Sequence, residues 1–297
     1  MTAATLPHRA KTYLSHMTDS QAWDHFAMRP GDIIVATPPK CGTTWTQGLI
    51  LSLIFGRPGM DRDLDRHSVW LDPGFRDQEP SRKMFDAQNH RRCIKTHTPF
   101  DGVPYRQDCS YVAVYRHPLD AHFSFRKHFA NMNFDLWEGR IDGTPEDGVA
   151  RYLEPTPEAI MGDGVTLDGF VHHFQSFRKW AHLPNVHLFH YADMRRDLDG
   201  HTSRLAELLD YDHDATLISD IAASFEFDVV QKNARAAAAS DQSQSVFKDP
   251  AAFFDSATSD KWVGQISEET YDRYHMRLRA LLPDQDAAWL EAGGTLP

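Results

Sequence analysis

Cysteine is scarce in this 297-residue chain: Cys41, Cys93 and Cys109, with no CxxC spacing. That count argues against a disulfide framework and a thiolate zinc site, and it fits a reducing compartment. Histidine is plentiful at 17 residues, yet no HExxH occurs, and the pairs His172/His173 and His187/His190 lack a third ligand at a metal-binding spacing. Surface or hydrogen-bonded histidines are expected, and no metal. Long apolar runs are also missing. The longest, Leu49–Phe55, is far shorter than the roughly 20 residues of a spanning helix. The first residues carry no apolar signal-peptide core. The expectation is a cytoplasmic protein without a membrane span. Basic charge is in deficit: 31 Lys plus Arg against 42 Asp plus Glu give a net charge of −11. Nucleic acid and anionic membranes need a basic face, so neither is an expected partner. A small polyanion would have to be held locally, against the field of the whole chain.

What the chain does have is a strand–helix alternation. Asp32–Ala36, Cys93–Thr96, Tyr111–Tyr115 and Val186–Tyr191 read as short buried strands. Thr44–Phe55, closed by Gly56, reads as a helix, as do Pro118 to about Phe129 and Thr202–Leu209. This pattern predicts an α/β protein of three layers, α/β/α, with a central parallel sheet in a single domain over 1–297. Ligands of such sheets gather at the carboxyl ends of the strands. Residues 1–30 read as an N-terminal extension. Two stretches, 131–165 (Gly-, Pro- and acid-rich) and 233–250 (containing the low-complexity NARAAAASDQSQS), read as mobile loops beside the site.

The segment Ala36-Thr-Pro-Pro-Lys-Cys-Gly-Thr-Thr-Trp45 leaves a strand, turns, and opens a helix. Backbone amides of such a loop and the positive end of the helix dipole suit a phosphate. Lys40 adds a full charge, and Thr43 and Thr44 add hydroxyl donors. The motif is not GxxxxGK[ST], because Lys40 precedes Gly42. Taken alone, PKxG reads equally as a Pro-Gly turn; the strand before it and the helix after it favour the phosphate. PKCGTTW resembles the 5′-phosphosulfate loop of cytosolic-type sulfotransferases, usually PKSGTTW, with Cys41 in place of serine. A second element is similar to the family's 3′-phosphate segment: the strand Tyr111–Tyr115, then Arg116, then Ser124 eight residues on, little over two helical turns away. The resemblance covers about Gly31 to Leu282 and implies the P-loop NTPase-like sulfotransferase fold.

It also implies a co-substrate, 3′-phosphoadenosine 5′-phosphosulfate (PAPS), and a product, adenosine 3′,5′-bisphosphate (PAP), with no metal. Lys40, Cys41, Gly42, Thr43, Thr44, Trp45, Arg116, Ser124, Tyr191 and Phe225 match its nucleotide-binding positions. Lys95-Thr96-His97 falls on the segment whose histidine deprotonates the acceptor. An ordinary imidazole pKa near 6.5 suits that work. Lys40 and Lys95 match lysines that stabilise the transferring group.

The chain departs from the family twice. Asp255-Ser256-Ala257 occupies the place of an RKG triplet that binds the 3′-phosphate; either Lys248, Lys261 or Arg235 substitutes, or 3′-phosphate binding rests mainly on Arg116 and Ser124. The dimerisation segment is mostly absent at Val263–Glu268, so the oligomeric state stays open. The expected reaction is sulfuryl transfer to a hydroxyl or amine of a small acceptor. Phe123, Phe125, Phe129, Phe134 and Trp137 are candidates for an apolar pocket taking an alcohol, phenol or lipid. The alternatives are a P-loop small-molecule kinase and a nucleotide-binding protein with altered catalysis.

Overall fold

The computed structural model describes residues 6–133, 142–155, 165–240, 247–249 and 258–297. Four strands, β1 (Ile33–Ala36), β2 (Cys93–Thr96), β3 (Ser110–Tyr115) and β4 (Val186–His190), form one parallel sheet in the order β2-β1-β3-β4. The strands are buried on both faces, and their side chains divide by alternation. Ile34, Ala36, Ile94, Tyr111, Ala113 and Tyr115 belong to one core. Ile33, Val35, Cys93, Val112, Val114 and Phe189 belong to the other.

Helices cover both faces. Between β1 and β2 come α1 (Thr43–Phe55), α2 (Leu64–His67) and α3 (Glu79–Asp86). Between β3 and β4 come α4 (Pro118–Ala130), α5 (Pro145–Leu153) and α6 (Leu167–Arg178). After β4 follow α7 (Tyr191–Arg196), α8 (Leu198–Leu208), α9 (Ala215–Ser224), α10 (Phe227–Ser240), α11 (Glu268–Leu281) and α12 (Asp284–Ala292). Helices α1, α8 and α9 pack with the second core, and α5, α6, α11 and α12 with the first. The expected three-layer arrangement is therefore present. Ahead of the strands, Arg92 and Asp32 form a buried pair, with Arg92 Nε donating to Asp32 Oδ1 at 2.8 Å, which ties the entries of β1 and β2 together.

Local chemistry explains the boundaries. Gly56 ends α1 in the left-handed region, with φ +58°. Pro118 opens α4 behind His117, whose Nδ1 accepts the Leu119 amide at 3.2 Å. Helix α8 begins before the expected Thr202 because the Asp197 carboxylate caps it through the Gly200 amide. Two expectations about loops are corrected. The tract from Asn233 is helical through Ser240 as the end of α10, since alanine is the strongest helix former. Within 131–165, residues Pro145–Leu153 form α5, started by a Thr144/Asp147 capping box. The rest of both stretches lies largely outside the described residues.

Candidate functional site

The strand order sets the site. From β1 the chain crosses to β2 on one side, and from β3 to β4 on the other, so the connections diverge between the carboxyl ends of β1 and β3. A crevice at such a switch point is where open α/β sheets bind ligands. A cavity of about 340 Å³ lies there. It is lined by Lys40, Gly42, Thr43, Thr44 and Trp45 from the loop after β1, by Lys95 and His97 from the end of β2, and by Arg116, Ser124, Tyr191 and Phe225. Of the residues matched to the catalytic and nucleotide-binding positions, Cys41 is the exception. Its side chain is fully buried outside the lining, with Sγ 3.8 Å from the Pro39 carbonyl, and burial pushes the thiol up to about 12. It is a packed, neutral group, so any ligand contact at this position falls to its backbone.

The loop after β1 is wound by two residues with positive φ, Lys40 (+67°) and Gly42 (+99°). The first is a conformation non-glycine residues seldom adopt. At Gly42 an added Cβ would stand 2.9 Å from the Tyr191 ring, so this glycine is required by both conformation and space. Gly42 also precedes α1 with no side-chain cap, which leaves the first amides of that helix to other acceptors. Lys40 Nζ lies 3.2 Å from His128 Nδ1. Burial, reinforced by Lys40 and Lys95, pushes His128 down to about 3, so the imidazole is neutral and accepts from the ammonium.

Opposite the loop, Arg116 follows β3 with its guanidinium carbon 4.7 Å from the Tyr191 ring centre. Its Nη2 donates to the Thr258 carbonyl at 2.6 Å, while its Nε is buried without a hydrogen-bond partner. Asp120, one turn on, lies 3.9 Å from Nε and accepts the amides of Asp260 (3.1 Å) and Lys261 (2.8 Å). This carboxylate thus anchors the segment entering at Thr258 over the arginine. Trp45 closes the same end. It meets Tyr191 edge-on at 5.6 Å, and its Nε1 donates to the Phe225 carbonyl at 2.9 Å.

At the end of β2, His97 donates from Nδ1 to the Thr37 carbonyl at 2.7 Å, which leaves Nε2 as the basic nitrogen. Thr37 is the residue at which β1 gives way to the phosphate loop, so the imidazole is fixed to that loop's root. Burial, with Lys95 adding to it, holds His97 well below the ordinary imidazole range. The Lys95 ammonium lies 5.0 Å from the Trp70 ring centre and is pushed down to about 8, chiefly by burial, with Arg76 adding and Asp72 opposing.

Several lining residues carry no motif. Met17 comes from the stretch expected to be an extension, and Trp70, Phe75, Met132 and Phe247 complete an apolar wall with Phe125 and Phe129. His128 had a signal that sequence reading missed: it follows Ser124 by four residues on α4 and so shares its face. Phe123, expected at the pocket, packs against the first core instead, because one residue along a helix rotates the side chain by about 100°. Phe134, Trp137 and Asp255-Ser256-Ala257 lie outside the described residues. Of the substitute cations, Lys261 lines the cavity. Lys248 Nζ bonds the Ala130 carbonyl at 2.9 Å, and Arg235 is exposed on α10. Among the described lining residues, Lys40, Lys95, Arg116, Arg195 and Lys261 face one acid, Glu226. An acidic chain has a basic crevice.

Comparison with known proteins gives the family and the fold. Residues 30–286 match the sulfotransferase domain family. A glycolipid sulfotransferase of Mycobacterium bovis (strain BCG / Pasteur 1173P2) is 33% identical, over 95% of this chain and 94% of that protein. Sulfotransferase 1E1 of Homo sapiens is 24% identical over 71% of each. Among solved structures, mouse sulfotransferase SULT7A1 complexed with PAP superposes with a TM-score of 0.71 at 18% identity, covering 94% of this chain and 96% of that one. Retinol dehydratase in complex with retinol and PAP gives 0.70 at 18% identity, over 90% and 85%. These two share the fold. The chain belongs to the sulfotransferase domain family.

Proposed function

We propose that this protein moves the sulfuryl group of PAPS to a hydroxyl or amine of a small, largely apolar acceptor: an alcohol, a phenol or a lipid. The observation that carries the reading is the bond from His97 Nδ1 to the Thr37 carbonyl. It aims a neutral imidazole from the root of a phosphate-type loop into the cavity that holds Lys40 and Arg116. His97 Nε2 takes the acceptor's proton as its oxygen or nitrogen bonds to sulfur. The bond from sulfur to the bridging phosphate oxygen breaks, and PAP leaves. Lys40 and the amides that open α1 take up the charge gathering on that oxygen.

The residues present suit the nucleotide. The uncapped start of α1 fits the 5′-phosphate. Arg116, whose Nε makes no hydrogen bond and lies 3.9 Å from Asp120, fits the 3′-phosphate with Ser124 in the same cavity. Trp45 and Tyr191 offer aromatic faces for adenine, whereas the Phe225 ring is fully buried in the second core and serves the site through its carbonyl, which holds Trp45. The apolar wall of Met17, Trp70, Phe125, Phe129, Met132 and Phe247 supports an apolar acceptor, as does kinship with glycolipid sulfotransferases. We place the reaction in the cytoplasm, in line with the scarce cysteines.

His97→Ala is expected to lower kcat by about 10² to 10⁴ while the Kd for PAP, measured by calorimetry, changes little. Lys40→Ala should impair both. Wild-type turnover in His97→Ala removes the imidazole from the chemistry. Tight PAP binding by the wild-type protein without transfer to any acceptor supports the altered-catalysis alternative.

A further inference from the structure

Behind the proposed base lies a carboxylate with no part in the chemistry described so far. Asp72 is fully buried and takes four side-chain donors. Trp70 Nε1 reaches Oδ1 at 2.7 Å, while Trp23 Nε1 (3.0 Å), Thr96 Oγ1 (2.7 Å) and Thr98 Oγ1 (2.6 Å) converge on Oδ2. An indole N–H can only donate, so the pocket is shaped for a group that accepts on both oxygens. Burial pushes this carboxyl up, and the four donors work against that rise.

The donors are the supports of His97. Thr96 and Thr98 flank it in sequence, and the Thr98 amide closes the turn by donating to Thr96 Oγ1 at 2.9 Å. The Trp70 ring meets the His97 ring edge-on at 4.8 Å and carries the Lys95 ammonium on its face. Trp23 comes from the N-terminal segment, where Thr18 bridges to Pro73 and Met17 reaches the cavity wall. One carboxylate therefore gathers both neighbours of the base, the ring packed on it, and the segment that brings Met17. The groups acting on Lys95 from around it are Arg76, His97, His128 and Asp72, and of these Asp72 alone carries negative charge.

We propose that Asp72 is a positioning residue for sulfuryl transfer: it sets the orientation of His97 through Thr96, Thr98 and Trp70, and it supplies the buried negative charge opposite Lys95. The proposal rests on the roles given above to His97 and Lys95. Asp72→Asn keeps the shape but turns one oxygen into an N–H donor that faces partners which donate. It is expected to lower kcat by about 10- to 100-fold, the scale of a misplaced catalytic group, with the PAP Kd within about twofold of wild type. The alkaline limb of the kcat/KM profile, set by Lys95, should move to lower pH, because losing a negative neighbour favours the neutral amine. A purely structural role would lower the melting temperature and leave that limb in place.

Thr98→Val, which strips one donor and keeps the carboxylate, should lower kcat less and leave the limb unmoved; it carries the test if Asp72→Asn does not fold. An unmoved limb in folded Asp72→Asn, or wild-type kcat in Thr98→Val, overturns the proposal. His97→Ala, assayed in parallel, separates the two readings. Wild-type turnover there removes the base, whereas lost turnover there beside a wild-type Asp72→Asn removes only Asp72.

Discussion

At the scale of single residues, the cavity places two titrating groups on opposite sides of neutrality. His97 is held well below 6.5 by burial and by Lys95, so it is already a free base at pH 7. Lys95, pushed down to about 8, is an ammonium at pH 7 and loses its proton as the pH rises through that value. The kcat/KM profile is therefore expected to fall on the acid side only below the ordinary histidine range, and on the alkaline side near pH 8. An acid limb at pH 6.5 or above would contradict the burial account of His97. Motif spacing led to His97 and Lys95, but both shifts come chiefly from burial, with Lys95 adding at His97 and Arg76 adding at Lys95, and that burial arises only through the fold.

At the scale of elements, the working unit is the loop between β1 and α1 set against α4 and the first residue of α7. Its geometry depends on Gly42, where an added methyl would face both a positive φ and the Tyr191 ring. Gly42→Ala is expected to cost about 1 kcal/mol or more of stability. It should also weaken PAP binding at least tenfold by shifting the loop amides; unchanged calorimetric affinity would show that the loop tolerates another path. The four strands, the loop and the Arg116–Ser124 spacing were legible in the sequence because each is local: β-branched runs, a Pro-Gly turn, two turns of one helix. Helix α10 was misread since a low-complexity tract was weighed by composition rather than by alanine's propensity. Met17 could not be foreseen. It reaches the cavity because Trp23 and Thr18 dock on the Asp72–Pro73 turn, a contact between segments some 50 residues apart.

At the scale of the molecule, the 17 histidines bear on stability. His97, His117, His122, His173, His187 and His190 are all buried in the described structure, and burial lowers every one of them, His117 and His187 to about 4 and His122 and His173 to about 3. The unfolded chain binds these protons near pH 6.5 and the folded protein does not. Their contribution to stability is thus complete above pH 6.5 and is lost as the pH falls toward 4. Each adds up to about 1.4 kcal/mol per pH unit to the slope, so urea unfolding should show stability dropping by several kcal/mol between pH 6.5 and 5. A flat stability over that interval would mean that these rings take up protons in the folded state. The net charge of −11 leaves the crevice basic, because Lys40, Lys95 and Arg116 act over a few ångströms. The most direct test of the central claim is transfer of labelled sulfur from PAPS to a panel of apolar alcohols, phenols and glycolipids, with His97→Ala as the blank. The account predicts labelled product from at least one of these classes with the wild-type protein, lost in the variant while PAP still binds; equal product from both proteins would contradict it.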